Sequence, residues 1–246
     1  LIILSVIALI CMLLFAFYNI QGGFSYAFPK RLERLFAMVI TGTAIAYATV
    51  AFQTVTHNRL LTPSVMGIDS MYNIVQTIIY FALGSSSIFV VSRYLNFGVS
   101  IVAMVLFAVI LYRFLFRADK YPIFLLLLAG MIIGTLLGSL VTFMQVIIDP
   151  VEYESLQARL FASFMNVKTE LLFISAGIVT LAFLYGTRIL HKLDVMSLGR
   201  EHAINLGINY DKMVLRILIL SSVLIAVSTA LVGPITFLGL IVSNLA

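Results

Sequence analysis

Few side chains in this sequence have the types and spacing that catalysis or metal binding requires. No glycine is followed by lysine, so the phosphate loop of P-loop nucleotide hydrolases is absent. The histidines His57, His191 and His202 match no metal-ligand spacing and are predicted to be solvated residues near the membrane interface. Cys11 lies alone in an apolar run, which favours packing over chemistry. The sequence therefore predicts no catalytic, metal or cofactor site.

The interiors of the apolar runs contain almost no charge. Asp69 lies near the predicted inner start of one run, and the remaining interior polar groups are amides: Gln53, Asn73, Gln76 and Gln145. We expect these amides to form hydrogen bonds between helices rather than to bind substrate. Transporters driven by coupled ions usually carry ionisable residues in mid-span, so their scarcity argues against that class and against a membrane-embedded hydrolase.

The scaffold that positions these residues is too apolar for water. Of 246 residues, 62% are hydrophobic and 10% are charged, whereas soluble domains average about 45–50% and about 25%. Lipid accepts only helices or closed barrels, and long apolar runs such as Phe97–Phe116 lack the alternation of barrel strands. The basic residues behind the net charge of +5 are scattered between these runs, which fits cytoplasmic loops better than nucleic-acid binding, so no nucleic-acid partner is predicted. The predicted fold class is all-α, a polytopic transmembrane helical bundle in contact with membrane lipid.

A hydropathy window of about 19 residues predicts seven complete spans and the start of an eighth. The spans are Leu1–Tyr18, Leu35–Val55, Val65–Leu83, Ile88–Phe114, Ile123–Ile148, Leu171–Leu190, Met213–Val232 and a last one from Ile235. No internal repeat or linker interrupts them, so residues 1–246 are predicted to form a single membrane domain. The sequence begins without Met and stops inside an apolar run, and we expect both ends to be cut ends of a longer protein.

Lysine and arginine are divided unevenly between alternate loops. Nine lie on one side: Arg59, Arg113, Arg117, Lys120, Arg188, Lys192, Arg200, Lys212 and Arg216. Six lie on the other side: Lys30, Arg31, Arg34, Arg93, Arg159 and Lys168. The positive-inside rule predicts that the first set is cytoplasmic. The cluster Lys30–Arg34 on the outer side is the main exception and requires a functional explanation.

Two polar stretches interrupt the apolar pattern. Asp149–Lys168 is predicted to be an outer loop that is long enough for a short helix on the membrane surface. His191–Lys212 is the largest inner loop, and its apolar residues recur at helical spacing. Ser197 is placed to cap the first turn of a loop helix, and Gly207 is placed to end it in a left-handed conformation. An amphipathic helix on the cytoplasmic face is therefore predicted.

Small residues recur at helical spacing in Gly130, Gly134 and Gly138. Such a ridge allows the backbones of two helices to approach closely. Packing within the subunit is favoured, with a subunit interface or a pore lining as the alternatives.

Three segments share a further pattern. They are Arg31-Leu32-Glu33-Arg34 with Gly42, Gln53 and Asn58-Arg59-Leu60-Leu61-Thr62-Pro63-Ser64-Val65-Met66-Gly67; Asp194 with Ser197-Leu198-Gly199, Ala203 and Leu206-Gly207; and Gly233-Pro234-Ile235-Thr236-Phe237-Leu238-Gly239-Leu240-Ile241-Val242. In this order they resemble motifs of the permease subunits of bacterial ATP-driven importers for iron(III)-siderophores, haem and vitamin B12. The third segment is similar to that family's Gly-Pro-Ile-x-Phe-x-Gly-Leu-Ile-Val.

The sequence departs from the family pattern at a few positions. Glu33 and Arg59 stand where the family usually has proline, and Ser243-Asn244 stands where Pro-His is common. The run from Phe52 to Arg59, with Gly67, Asp69 and Tyr72, resembles the branch associated with catecholate-type siderophores.

The resemblance implies roles for particular residues. The loop 191–212 would be the coupling loop that sits in a cleft of a cytoplasmic ATPase dimer, through Leu198, Gly199, Ala203, Leu206 and Gly207. The outer cluster Lys30, Arg31 and Arg34 would receive acidic residues of an extracytoplasmic substrate-binding protein, with anchoring of the second span as the alternative. The translocation path would include Gln53, Asn58 and Thr62.

The resemblance also implies the architecture of the whole assembly. Family members have about ten spans, pair with an identical or homologous second permease, and lie in the bacterial cytoplasmic membrane. The chain would thus be an importer permease without its own ATPase site. A stand-alone secondary transporter of a small solute is the alternative.

Overall fold

The computed structural model describes residues 2–17, 24–115, 123–165 and 167–245. Within these ranges every regular element is helical. The elements are α1 (Ile2–Phe17), α2 (Phe24–Thr56), a 3₁₀ turn (Pro63–Met66), α3 (Ile68–Leu83), α4 (Ile88–Val91), α5 (Arg93–Leu115), α6 (Ile123–Ile147), α7 (Pro150–Leu160), α8 (Thr169–Met196), α9 (Arg200–Asn205), α10 (Tyr210–Val232) and α11 (Leu238–Leu245). The predicted all-α fold is confirmed. Arg117 and Lys120, counted above on the inner side, lie outside the described residues.

Helix α10 forms the centre of the bundle. Buried side chains occur around its whole circumference, which is the pattern of a core helix. It packs against α2, α3, α5 and α8. The Ser221 hydroxyl donates a hydrogen bond to the Ala48 carbonyl of α2 at 3.1 Å. Helix α10 is therefore joined to α2 by close packing and by a buried hydrogen bond.

Five helices of the described ranges are long and apolar enough to cross a membrane. They are Ala27–Thr56, Arg93–Arg113, Leu127–Ile147, Thr169–Met196 and Tyr210–Val232. Helices α1 and α3 have 16 residues each, below the roughly 20 that cross a bilayer without help from neighbouring segments. The predicted span Ile88–Phe114 is divided at Ser92 into α4 and α5.

The polar segments gather at two ends of the bundle, which we name the outer and inner ends after the predicted orientation. At the outer end, Thr169 donates a hydrogen bond to Glu33 at 2.9 Å, and Ser85 donates one to Glu152 at 2.9 Å. The predicted helix between Asp149 and Lys168 is present as α7. Its Leu156 is fully buried, so α7 packs onto the bundle as well as lying at its end.

At the inner end, the first residues of α10 contact the ends of two other long helices. The Tyr112 hydroxyl donates to the Asp211 carbonyl at 3.0 Å, and Tyr210 packs beside Val55, with its hydroxyl 3.5 Å from the Val55 carbonyl oxygen. The segments predicted to share a side of the membrane therefore lie together.

Helix α3 begins in the interior of the bundle rather than at the inner end. A Cβ atom placed on Gly130 would lie 3.0 Å from Met66 Cα, and one on Gly134 would lie 3.0 Å from Gly67 Cα. Both α6 glycines are well inside that helix. The continuous span predicted from Val65 is therefore wrong in its first residues, which form a 3₁₀ turn and a left-handed Gly67 with a φ of 84°.

Helix α11 also begins at mid-depth, after the non-helical residues 233–237. A Cβ atom on Gly239 would lie 3.2 Å from Ile45 Cγ2, near the middle of α2. Irregular backbone is tolerated at membrane depth only where protein or a polar cavity surrounds it. The bundle thus contains two interrupted segments, residues 57–67 and 233–237. Thr62, Met66 and Gly233 are buried in them, whereas Leu60 and Phe237 are exposed.

Candidate functional site

A cavity of about 820 Å³ opens at the outer end of the bundle. Its walls come from α2, α3, α5, α7, the segment before α8, and the end of α10. The charged residues that line it are Lys30, Glu33, Arg34, Arg93, Arg159 and Lys168. Five cationic side chains therefore face one carboxylate, and together they make the cavity strongly electropositive.

The outer basic cluster divides between two surfaces. Lys30 and Arg34 lie one helical turn apart on α2 and both line the cavity. Arg31 instead donates a hydrogen bond from Nη1 to the Phe15 carbonyl of α1 at 3.0 Å, and its guanidinium lies 5.9 Å from the Phe15 ring centroid. Arg31 thus contacts α1, whereas Lys30 and Arg34 line the cavity.

Arg159 on α7 is held in place by two neighbours. Its Nη2 donates to the Val90 carbonyl at 2.6 Å, and its guanidinium lies 5.9 Å from the Tyr80 ring centroid. A guanidinium fixed by a carbonyl and an aromatic face loses less entropy when it binds an anion. This helix therefore supplies a positioned cation as well as closing one wall.

The deep part of the cavity combines aromatic rings with a buried amide network. Tyr72, Asn96 and Phe97 line it. Gln76 Nε2 donates to Asn96 Oδ1 at 3.0 Å and to Ser100 Oγ at 2.9 Å, and Asn96 Nδ2 donates back to Gln76 Oε1 at 3.1 Å. The prediction that Gln76 joins helices is confirmed, because the network connects α3 with α5.

The two interrupted segments meet at Asp69. This carboxylate is 7% exposed, and Thr229 donates to its Oδ1 at 3.2 Å. Ser64 and Thr236, one from each interrupted segment, interact with the same side chain. Thr229 lies one turn before the outer end of α10, so the predicted position of Asp69 near the inner end is wrong.

The predicted path residues lie in and beside the first interrupted segment. Gln53 Nε2 donates to the Arg59 carbonyl at 2.6 Å and to Ser243 Oγ at 3.1 Å. Asn58 Oδ1 accepts from the Leu60 N–H at 2.9 Å. Thr62 is buried in front of the 3₁₀ turn. Gln53 and Asn58 stabilise local backbone and the α2–α11 contact, and none of the three residues lines the cavity at the outer end.

The inner loop forms a short helix between two glycines. Gly199 and Gly207 flank α9 with φ values of 107° and 83°, so the left-handed conformation predicted for Gly207 is confirmed. The predicted Ser197 cap is wrong: α8 continues to Met196, and the Ser197 hydroxyl donates to the Asp194 carbonyl at 2.6 Å. Gly199 occupies the N-cap position instead.

The predicted coupling residues differ in what they present to solvent. Leu198 and Leu206 are 61% and 62% exposed, whereas Ala203 is completely buried. Two large apolar side chains therefore project from the inner end, and Ala203 anchors α9 to the bundle between them. The exposed Arg200 and Asp211 side chains lie 3.8 Å apart across the loop, a pair that is worth little on its own.

Three cavity residues entered the sequence analysis only as charges in the orientation count. These residues are Arg93, Arg159 and Lys168. They are far apart in the sequence, both from Arg34 and, for Arg93, from the other two. Their location in predicted outer loops was the available signal. Their convergence on one cavity depends on how α5, α7 and α8 pack, which hydropathy does not describe.

Comparisons with known proteins agree with the geometry. The sequence model of the FecCD transport family matches residues 1–246. The chain is 48% identical over 240 residues to the petrobactin import system permease protein YclO of Bacillus subtilis. This alignment covers 98% of this chain and 76% of that protein. It is 35% identical over 217 residues to the petrobactin import system permease protein FatC of Bacillus anthracis, covering 88% of this chain and 61% of that protein.

A solved structure has the same fold. An inward-facing conformation of a metal-chelate type ABC transporter superposes with a TM-score of 0.83 at 23% sequence identity, covering 98% of this chain and 77% of that one.

Proposed function

The chain belongs to the FecCD transport family, and from this premise we propose that it is the transmembrane permease of an ATP-binding-cassette importer for iron(III)-siderophore complexes. The similarity to a petrobactin permease along 240 residues carries the proposal. As a member of a transport family the chain is a permease and not an enzyme. ATP is hydrolysed by a separate subunit.

The inner loop is the proposed contact with that ATPase. Leu198 and Leu206 are exposed apolar side chains at the inner end, and such residues contribute most to binding when they fill a pocket of a partner. Gly199 and Gly207 allow the partner surface to approach the backbone. Movement of this loop during ATP-driven closure of the ATPase dimer would be transmitted to α8 and α10, which it connects directly.

The outer end is the proposed contact with the substrate-binding protein. Lys30, Arg31 and Arg34 lie there on α2, and acidic residues of the binding protein would pair with them. Exposed ion pairs contribute about 0–1 kcal/mol each, but complementary charge accelerates association and fixes its register. The path from this end would continue toward Thr62, Asn58 and Gln53.

The proposed assembly lies in the bacterial cytoplasmic membrane. It contains this permease, a second permease that is identical or homologous, the ATPase dimer and the binding protein. We further propose that the whole protein has about ten spans. Residues 1–246 would contain seven complete spans and part of an eighth. In that arrangement α1 and α3 would be the two short membrane helices.

Reconstituted vesicles test the function. The full-length permease, its second permease, the ATPase and the binding protein should import radioiron bound to petrobactin only when ATP and the binding protein are both supplied. An ATPase variant that binds but does not hydrolyse ATP is the control and should abolish uptake. Uptake driven by an ion gradient without the ATPase would contradict the proposal and indicate a secondary transporter.

A further inference from the structure

We propose that a groove between α8 and α10 is a binding site for an anionic phospholipid of the inner leaflet. An acyl chain lies along its apolar walls, and the phosphate pairs with Arg216 at its inner mouth. The inference goes beyond the proposed function, because it concerns the membrane around the permease and not the solute that crosses it. It rests on the shape of the groove, its depth and the charge at its mouth.

The shape of the groove follows from one small residue between larger ones. Ala182 of α8 and Leu220 of α10 are buried and form its floor, whereas Leu181 and Tyr185 are exposed and form its rim. Ala182 is smaller than every other residue that lines the groove, so the two helices leave a channel between them. Its volume of about 410 Å³ lies within the roughly 300–1,000 Å³ of small-molecule sites.

The groove lies in the inner half of the two helices. Arg216 follows Tyr210, the first residue of α10, by less than two turns, and Val223 lies near the middle of that helix. At a rise of about 1.5 Å per residue, the wall from Arg216 to Val223 is roughly 10 Å long. This length fits within one leaflet of a hydrocarbon core about 30 Å thick. An acyl chain of the inner leaflet is therefore at the right depth to fill the groove.

Further cations continue both walls of the groove toward the inner end. Arg188 and Lys192 follow Tyr185 by three and seven residues, which places them on the same face of α8. Lys212 lies one turn before Arg216 on the same face of α10. All four cationic residues are exposed. Basic pockets between membrane helices on the cytoplasmic side bind the headgroups of anionic lipids.

The acidic residues at the inner ends of α8 and α10 do not neutralise these cations. Asp211 lies 3.8 Å from Arg200 instead. Asp194 follows Tyr185 by nine residues, which places it on the opposite face of α8. None of the four cationic side chains forms an ion pair with another described residue. Their charge is therefore available to a ligand at the mouth of the groove.

An anionic phospholipid matches both parts of the site at once. A soluble anion would leave the apolar walls unfilled, and a neutral lipid would leave the cations without a counter-charge. Tyrosine is enriched at the boundary between hydrocarbon and headgroups, where Tyr185 forms the rim. The long side chain of Arg216 allows its guanidinium to reach the headgroups while its methylene groups stay beside the acyl chain.

Quenching of tryptophan fluorescence tests the inference. Residues 1–246 contain no tryptophan, and any tryptophan elsewhere in the full-length permease is first replaced by phenylalanine. Leu181→Trp places a reporter on the rim of the groove, and Val102→Trp places a control reporter on an exposed face of α5. Each variant is reconstituted in phosphatidylcholine vesicles that contain either brominated phosphatidylglycerol or brominated phosphatidylcholine.

We expect the anionic lipid to bind preferentially at the groove. The apparent affinity of brominated phosphatidylglycerol for the reporter at position 181 should exceed that of brominated phosphatidylcholine by at least about fivefold, which corresponds to the contribution of one surface cation. The preference should fall as salt rises, and the reporter at position 102 should show no preference. Tyr185→Trp is a second reporter at the rim, so the result does not depend on one variant.

Substitutions of the cations locate the headgroup. The double variant Arg188→Gln, Arg216→Gln should lower the preference at position 181 to that at position 102. The pair Arg188→Lys, Arg216→Lys keeps the charge and should retain most of the preference. The pair Arg59→Gln, Arg113→Gln removes the same charge from the inner end outside the groove and should leave the preference unchanged.

Three outcomes overturn the lipid site. One is equal quenching by the two brominated lipids at the groove, which would indicate bulk lipid only. Another is no quenching by either lipid at both rim reporters, which would mean that protein covers the groove. The third is a preference that persists in the double variant Arg188→Gln, Arg216→Gln. Solute uptake in vesicles is measured separately, so the importer function stands or fails independently of these results.

Discussion

Gly67 and Gly134 allow the start of α3 to lie directly against α6. A Cβ atom on Gly134 would be 3.0 Å from Gly67 Cα and 3.6 Å from the Ser70 hydroxyl. Because the nearest atom belongs to the backbone, we expect Gly134→Ala to push the two segments apart and to destabilise the protein by about 1–3 kcal/mol, as overpacking does elsewhere. Thermal unfolding of the detergent-purified full-length protein measures this loss.

Gly138 provides the matched control on the same helix. A Cβ atom there meets nothing within 4 Å, and alanine is the better helix former, so Gly138→Ala should leave the melting temperature unchanged or slightly raised. Equal effects of the two substitutions would mean that the approach of α3 to α6 does not depend on glycine.

Single residues show why spacing alone predicts only part of such a contact. The glycine ridge was predicted to pack within the subunit, and Gly130 and Gly134 do so against Met66 and Gly67. The partner segment could not be predicted, because sequence periodicity describes one helix and not its neighbour. Likewise the spacing of Arg31 and Arg34 does not reveal that Arg31 contacts Phe15 of α1 while Arg34 lines the cavity.

Helix α9 and its flanking residues form the element on which the proposed coupling depends. Leu206, directly after α9, is largely exposed, while Ala203 within the helix is buried. We expect Leu206→Arg to weaken association with the ATPase more than tenfold, because a charge would replace an apolar contact at the centre of the interface. Co-purification of the ATPase with the permease measures association, and vesicle uptake should fall with it.

A second substitution of Leu206 is the control for this prediction. Leu206→Met keeps an apolar side chain of similar volume and should retain both association and uptake. Membrane insertion and thermal stability should be the same in both variants, since the side chain at 206 makes few contacts within the permease. Full ATPase association in Leu206→Arg would exclude this loop as the coupling element.

Whole elements were predictable to the extent that hydropathy defines them. The helices α6, α8 and α10 agree closely with their predicted spans, whereas α2 begins at Phe24 instead of Leu35 and the predicted span Ile88–Phe114 is divided into α4 and α5. Hydropathy averages over a window, so it does not detect that residues 63–67 are apolar and yet form an irregular segment at mid-depth. The burial of Asp69 between two such segments follows from tertiary packing, and the window places it at a helix end.

The molecule as a whole has two differently charged and shaped ends. The inner end carries the exposed apolar loop residues Leu198 and Leu206, and the outer end carries a cavity lined by five cationic residues and one carboxylate. The outer lysines and arginines that contradict the positive-inside rule belong in large part to that cavity. Their exception to the rule is explained if they bind acidic side chains of a partner protein.

Reversal of charge at one end should therefore affect one partner only. We expect the double variant Arg31→Glu, Arg34→Glu to weaken capture of the loaded binding protein by about tenfold at low salt and by less at high salt, because the Debye length shortens from about 30 Å at 0.01 M to about 3 Å at 1 M. Surface-immobilised binding protein and purified permease complex allow this measurement.

The double variant Arg113→Glu, Arg216→Glu changes the net charge equally at the inner end and should leave capture unchanged. If both double variants weaken capture to the same degree, the effect comes from net charge, and docking at the outer cluster is excluded.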